Sequence, residues 1–316
     1  MELIIQVILL FVGFVALTKG ADIFVDASVD IARIYRIPGV IVGLTIIALG
    51  TSAPEIVISI SATLTGSTDM AVGNIVGSNI FNLVFILGLC AAIKPIPVRF
   101  KEIAKEHTLG ILAAIAILAM QLIFVDVIPR IYSFGLLIGF AMYMYFTIKS
   151  ALRSKDTDQG NANFEPPLHS LKRNAIFATI GLGLIIVGGQ LAVTYAVNIA
   201  LIMGISERIV GLTILAVGTS APELITSLMA IKKNQIDMAV GNVVGSSIFN
   251  ILFILGMTGS MLPLTVDHTV IFDLVFLIAS SILFLLFAYT GKRISRLEGA
   301  TLFLLYAGYM TSLVVT

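Results

Sequence analysis

Residues 42–88 read VGLTIIALGTSAPEIVISISATLTGSTDMAVGNIVGSNIFNLVFILG, and residues 210–256 read VGLTILAVGTSAPELITSLMAIKKNQIDMAVGNVVGSSIFNILFILG. A shift of 168 residues superimposes them without a gap, and 30 of the 47 positions are identical. The chain therefore contains an internal duplication. Each copy carries one glutamate, Glu55 or Glu223, directly behind a proline in the run Gly-Thr-Ser-Ala-Pro-Glu. Around that run the copies are almost wholly apolar.

The same character extends outward over all 316 residues. Hydrophobic residues make up 58% and charged residues 12%, and mean hydropathy is +1.07. An average soluble domain carries roughly 25% charged residues, so this chain cannot cover an aqueous surface. Apolar runs of about 20 residues, the length that spans a bilayer, recur from end to end. The composition makes it an integral membrane protein. Net charge is +1, which excludes electrostatic attraction to nucleic acid. The single cysteine, Cys90, rules out a disulfide framework and reads as a small core residue. His107, His169 and His268 show no metal-ligand spacing. The N-terminus lacks a basic n-region and a small-residue cleavage site, so the first apolar run is expected to be retained as a span.

Apolar runs between charged or Pro/Gly punctuation predict an all-α protein of about ten transmembrane helices, near 3–18, 38–65, 70–93, 108–125, 131–148, 174–194, 206–231, 238–262, 270–289 and 297–314. Residues 150–173, with Lys155, Asp156, Asp158, Asn161, Asn163 and Pro166-Pro167, are the hydrophilic exception and read as a mobile linker. They divide the chain into halves 1–149 and 174–316, five spans each. Placing the linker in the cytoplasm leaves Arg130 and Arg208 as the only basic residues outside, so 17 of 19 lie inside. That bias sets the orientation, with both termini extracytoplasmic. An odd number of spans per half turns the second half upside down relative to the first. Inverted repeats are a common build for secondary transporters, with the site near the bilayer midplane.

Pro54 and Pro222 each remove a backbone donor and clash with the carbonyl four residues earlier, at Gly50 and Gly218. The helices should break there and leave carbonyls such as those of Ala48 and Ala216 without helical partners. Such groups must face protein or a water-filled cavity. Glu55 and Glu223 are the only acidic residues expected deep inside spans, where a charge costs at least ~3 kcal/mol. No lysine or arginine is expected at that depth, so each carboxylate needs a cation or a proton. Ser52, Glu55 and Ser59 share one helix face, as do Ser220, Glu223 and Ser227. In the next span Asn74, Ser78 and Asn82 form a polar stripe that Asn242, Ser246 and Asn250 repeat. Gly73/Gly77 and Gly241/Gly245 remove bulk beside those stripes and allow close helix approach.

Carboxylates, hydroxyls, amide oxygens and freed carbonyls make an all-oxygen set. Ca2+ takes six to eight such ligands in flexible geometry, whereas soft metals would want His or Cys. Two negative charges balance one Ca2+ or two Na+, and a third Na+ would make exchange electrogenic.

Both G-T-S-A-P-E segments and both G-N-x-V-G-S-x-I-F-N segments resemble the α-repeats of the cation/Ca2+ exchanger superfamily, and specifically its prokaryotic Na+/Ca2+ exchanger branch. The resemblance implies that Glu55 and Glu223 are the central Ca2+ ligands. It also implies flanking Na+ sites at Thr51, Ser52, Thr219, Ser220, Ser78 and Ser246 with the carbonyls of Ala48 and Ala216. Asn82 and Asn250 complete the expected ion-binding set, and in some relatives Asp stands at the Asn250 position. Alternating access would come from the first and sixth spans sliding against the rest. Proton-coupled relatives carry histidine directly after the repeat glutamate. Ile56 and Leu224 stand there, which favours Na+ as the driving ion. Asparagine at 82 and 250 leaves two carboxylates in the core and argues against K+ cotransport. The short linker lacks a large regulatory Ca2+-binding domain, which points to a prokaryotic inner membrane. The expectation is a monomeric Na+/Ca2+ antiporter in the lipid bilayer, not an enzyme, without a resident cofactor. The rivals are a Ca2+/H+ antiporter of the same architecture, a passive cation channel and an intramembrane hydrolase. The hydrolase lacks a spaced histidine, a second catalytic acid and a G-x-S-x-G elbow.

Overall fold

A computed structural model describes residues 2–97, 100–124, 127–157, 166–204, 216–266, 269–291 and 293–315. The start of the seventh expected span lies outside the described residues, as do Arg99, Asp158, Asn161, Asn163, Arg208, His268 and Lys292. Among the described residues the structure is all-α apart from four two-residue strands.

The helices in chain order are α1 (Glu2–Tyr35), α2 (Gly39–Thr51), α3 (Ala53–Leu64), α4 (Thr68–Ile93), α5 (Phe100–Phe124) and α6 (Arg130–Thr157). The second half holds α7 (Leu171–Ile202), α8 (Ala216–Thr219), α9 (Ala221–Lys232), α10 (Ile236–Met261), α11 (Thr269–Gly291) and α12 (Arg296–Val315). Among the described residues seven helices are long and apolar enough to cross a membrane, or eight when α2 and α3, bent by 47° at their junction, count as one span. Large apolar side chains such as Phe11, Ile131, Val187 and Leu304 lie exposed on these helices, a surface that lipid covers.

Contacts divide the chain into two compact units, Met1–Pro54, Ile148–Asn242 and Ala307–Thr316 in the first, Glu55–Thr147 and Val243–Tyr306 in the second. Each unit draws on both sequence halves.

In the first unit α1 and α7 pack along their lengths. Both exceed the expected spans of 3–18 and 174–194, because the chain beyond each apolar run still buries one face. Ala21, Phe24, Val25 and Ala27 are buried on α1, and the charges on its other faces find partners. Lys233 Nζ lies 2.7 Å from Asp22 and 2.6 Å from Asp26. The buried Asp30 accepts hydrogen bonds from the backbone N–H groups of Leu168 and His169 at 3.1 Å each. Small residues let the backbones touch. A Cβ at Gly13 would fall 3.0 Å from Gly188 O, and one at Gly20 would fall 2.7 Å from Gly181 O. Gly13 and Gly20 are the repeat counterparts of Gly181 and Gly188, so the antiparallel contact is mutual.

The second unit repeats this reciprocity. Strand β1 (Ile96–Pro97) pairs antiparallel with β4 (Arg293–Ile294), and β2 (Val127–Ile128) pairs with β3 (Leu264–Thr265). Phe81 and Phe85 on α4 lie 5.4 and 5.2 Å from the Tyr306 ring. Phe249 and Phe253 on α10 lie 4.9 and 5.0 Å from the Phe140 ring. Turn chemistry recurs as well: among the described residues the left-handed ones are Arg36 and its counterpart Gly204, Gly66 and its counterpart Asn234. Each stands just past a helix end, where that backbone closes the last carbonyls.

Cys90 is buried in α4. His107 packs against Phe284, with Nε2 3.2 Å from Ser281 O. Among the described residues no group of three His, Cys, Asp or Glu side chains could hold a metal ion.

Candidate cation-binding residues

Both Gly-Thr-Ser-Ala-Pro-Glu runs break their helix at the serine. Ser52 has φ −78° and ψ 7° between α2 and α3, and Ser220 has φ −90° and ψ 11° between α8 and α9. Proline follows at the second residue of each new helix, where its missing N–H has no intrahelical acceptor to lose. Glu55 and Glu223 thus stand in the first turn of α3 and α9. Unsatisfied N–H groups give a helix start a partial positive charge, which favours a carboxylate. The proline's action as a helix breaker does not by itself reveal that end effect.

One expectation needs correction. The Ala48 carbonyl is not left without a helical partner, since Ser52 N–H donates to it at 3.1 Å. The chain thus re-forms this bond locally at the break. Ala216 opens α8.

In the first unit, Thr51, Ser52, Thr219, Ser220 and Glu223 are all buried. Ser52 Oγ donates to Glu223 Oε1 at 3.1 Å, joining the two repeats through residues 171 apart. Thr51 Oγ1 donates to Ile47 O and lies 3.1 Å from Asn242 Oδ1. Asn242 Nδ2 in turn donates to Ser227 Oγ at 3.0 Å and to Glu223 O at 3.4 Å. This network needs α10 close to α2. Gly43 and Gly241 provide the approach: a Cβ on Gly241 would sit 3.1 Å from Gly43 Cα. The predicted small-residue contact is therefore present at Gly241. A Cβ at Gly73 or Gly77 would meet nothing within 4 Å among the described residues; Gly211, the counterpart of Gly43, lies outside them.

The second unit holds Glu55, Ser59, Ser78, Asn82, Ser246 and Asn250, all buried. Asn74 Nδ2 donates to Ser59 Oγ at 3.2 Å, the counterpart of the Asn242–Ser227 bond. Both repeats thus pair the serine one turn after the glutamate with the first asparagine of the polar stripe. Asn82 and Asn250 lie in stretches of π-helix, Phe81–Ile86 and Phe249–Leu255. Such widened turns collect at functional sites. Ser78 Oγ, Ser246 Oγ, both amide atoms of Asn82 and Asn250 Oδ1 are buried without a hydrogen-bond partner among the described residues. Orphaned polar atoms of this kind cost about 1–3 kcal/mol each and call for an ion or water. All four serine and asparagine oxygens of this set stand at positions expected to bind cations.

Asn79 escaped the sequence reading. It sits one residue off the i, i+4 stripe, yet its amide bonds Asn250 at 2.9 Å and Ser247 O at 3.2 Å. The only mark in the sequence is that the repeats differ here, asparagine in one and serine in the other.

Comparison with known proteins agrees with this chemistry. The family described as sodium/calcium exchanger protein matches residues 5–149 and 174–315. The putative antiporter CaxA of Alkalimonas amylolytica is 36% identical over 314 residues, covering 97% of this chain and 98% of that protein. The sodium/calcium exchanger MaX1 of Methanosarcina acetivorans is 29% identical over 350 residues, with 98% of each covered. Among solved structures, the sodium-calcium exchanger NCX_Mj soaked with 10 mM Na+ and zero Ca2+ superimposes with a TM-score of 0.84 at 33% identity, covering 98% of this chain and 99% of that one.

Proposed function

The chain belongs to the sodium/calcium exchanger protein family, and from that membership we propose that it moves Ca2+ against Na+ by alternating access, without K+. The observation that carries this reading is the pair of buried glutamates at equivalent helix starts, each with buried hydroxyl and amide oxygens in its own unit. Glu55 and Glu223 supply the two charges that neutralise one Ca2+ or two Na+. Ser78, Ser246, Asn82 and Asn250 offer neutral oxygens, and Thr51, Ser52, Thr219 and Ser220 surround the breaks with further hydroxyls. The Ala48 and Ala216 carbonyls join them, with Ala48 O shared between the cation, the Ser52 N–H and, at 3.4 Å, the Thr51 hydroxyl. Hard oxygen ligands in flexible number suit Ca2+ and Na+ better than Mg2+, which holds its waters.

Coupling follows from mutual exclusion: either ion satisfies the carboxylates, so one must leave before the other enters. The backbone contact between α1 and α7 supports their moving as one body during the switch. Ten spans in two inverted halves, with the 150–173 linker cytoplasmic and both termini outside a prokaryotic inner membrane, account for the distribution of basic residues. The chain works as a monomer in this reading.

The test is transport by purified protein in liposomes. Ca2+ uptake should follow an outward Na+ gradient, ignore K+, and persist without a pH gradient. Glu55→Gln and Glu223→Gln should each lower uptake more than about 100-fold, since each removes a full charge from a desolvated site. Uptake driven by pH alone would make the protein a Ca2+/H+ antiporter. Full activity in either glutamine variant would refute the assignment of the carboxylates.

A further inference from the structure

An inverted duplication makes two copies of every ligand, but one pair of copies has been treated differently. Asn82 on α4 and Asn250 on α10 are repeat counterparts, both fully buried in the second unit. Their amides stand in unlike surroundings. Neither amide atom of Asn82 has a hydrogen-bond partner among the described residues. Asn250 Nδ2 donates to Asn79 Oδ1 at 2.9 Å, and only its Oδ1 is left unbonded.

The direction of that bond is dictated from outside the pair. Asn79 lies 3.2 Å from the backbone carbonyl of Ser247. A carbonyl only accepts, so Asn79 must turn Nδ2 toward it. Its Oδ1 then faces Asn250, which must answer with Nδ2. Reversing either amide would set two acceptors, or two donors, against each other. With its NH2 group committed, Asn250 offers its remaining direction an oxygen alone. A free asparagine side chain presents oxygen or NH2 to a cation with similar ease, and the NH2 end repels it.

The second repeat carries serine at the position equivalent to Asn79. Ser247 spends its hydroxyl on Val243 O at 3.0 Å, and it is too short to bridge as an amide does. Asn82 therefore has no such partner. We propose that Asn79 is a positioning residue that presets Asn250 as an oxygen donor to the transported cation, making the two repeats unequal ligands. The inference deepens the exchange reading above and rests on it. Orientation set before binding costs nothing when the ion arrives, so its loss weakens affinity more than turnover.

The experiment compares wild type, Asn79→Leu, Asn79→Ser, Asn250→Asp and the Asn79→Leu/Asn250→Asp double variant. Each is assayed for Na+-driven Ca2+ uptake in liposomes, with Ca2+ binding to the purified protein measured by calorimetry. Loss of one buried hydrogen bond should raise the KM for Ca2+ or Na+ about tenfold in both Asn79 variants, with kcat changed less. In the Asn250→Asp background Asn79→Leu should add nothing, because either carboxylate oxygen accepts a cation and no orientation is needed. Unchanged affinities in Asn79→Leu, or the same loss in the Asn250→Asp background, would overturn the proposal. So would failure of both Asn79 variants to fold, which would assign the residue to structure alone. Wild type that binds Ca2+ without exchanging it would sink the exchange reading, while the Asn79 effect would still be read from the Ca2+ Kd.

Discussion

Replacing Gly188 by alanine should loosen the helix pair at the centre of the first unit. The new Cβ would lie 2.8 Å from Gly13 O and 3.0 Å from the Ala16 carbonyl carbon, with Leu17 N closer still. Side-chain carbons sit at 3.4–4 Å in ordinary contact, so α1 must retreat from α7 by at least about 0.6 Å. A gap of 0.5–1 Å forfeits a quarter to a half of the dispersion energy of the contacts it opens. Forced overpacking of this kind costs roughly 1–3 kcal/mol, against a gain of about 1 kcal/mol from exchanging glycine for alanine inside a helix. The net effect should be a loss of up to about 2 kcal/mol. Gly183 is the control on the same helix, since a Cβ there meets nothing within 4 Å; Gly183→Ala should be neutral or mildly stabilising. The single buried cysteine supplies the assay. A thiol-reactive dye labels Cys90 only when the fold opens, so the labelling midpoint on heating reports stability. Equal midpoints for Gly188→Ala and Gly183→Ala would refute the close-contact account.

Two further outcomes follow from α1. Asp30→Ala removes the acceptor shared by the Leu168 and His169 N–H groups and by Arg33, whose Nη1 lies 3.3 Å away; hydrogen bonds to a charge are worth about 1.5–3 kcal/mol each. Cleavage by protease beside Pro166-Pro167 should accelerate, and an unchanged rate would show that the Asp30 bonds to Leu168 and His169 do not hold that segment. Partial burial opposes the charge on Lys233, but its bonds to Asp22 and Asp26 outweigh that together and hold its ammonium above the usual lysine range. A raised pKa contributes stability that is whole below the unfolded value, about 10.4, and fades as pH rises through the folded value. Wild type should therefore lose stability above that pH relative to Lys233→Met, and parallel pH profiles would show that the clamp contributes nothing.

What the sequence determined alone was whatever depends on residues a few positions apart. The break at each Gly-Thr-Ser-Ala-Pro-Glu run, the glutamates behind the prolines and the Asn-Ser-Asn stripes follow from proline chemistry and helical period, and they needed no neighbour to be read. The duplication doubled each signal, so the membrane class and the family were legible from two segments. Tertiary structure decided the rest. Helix α1 continues to Tyr35 because α7, Lys233 and the backbone at 168–169 accept its polar residues. Gly241 meets Gly43 across nearly 200 residues, while Gly77 in the same GxxxG pattern meets nothing among the described residues. The Ala48 carbonyl found a donor at Ser52 through a turn geometry that a proline's position does not specify. Asn79 and Asn250 are 171 residues apart, and the direction of their bond depends on a third group, the Ser247 carbonyl. Local periodicity places side chains on a face; only the packed fold decides what each face meets.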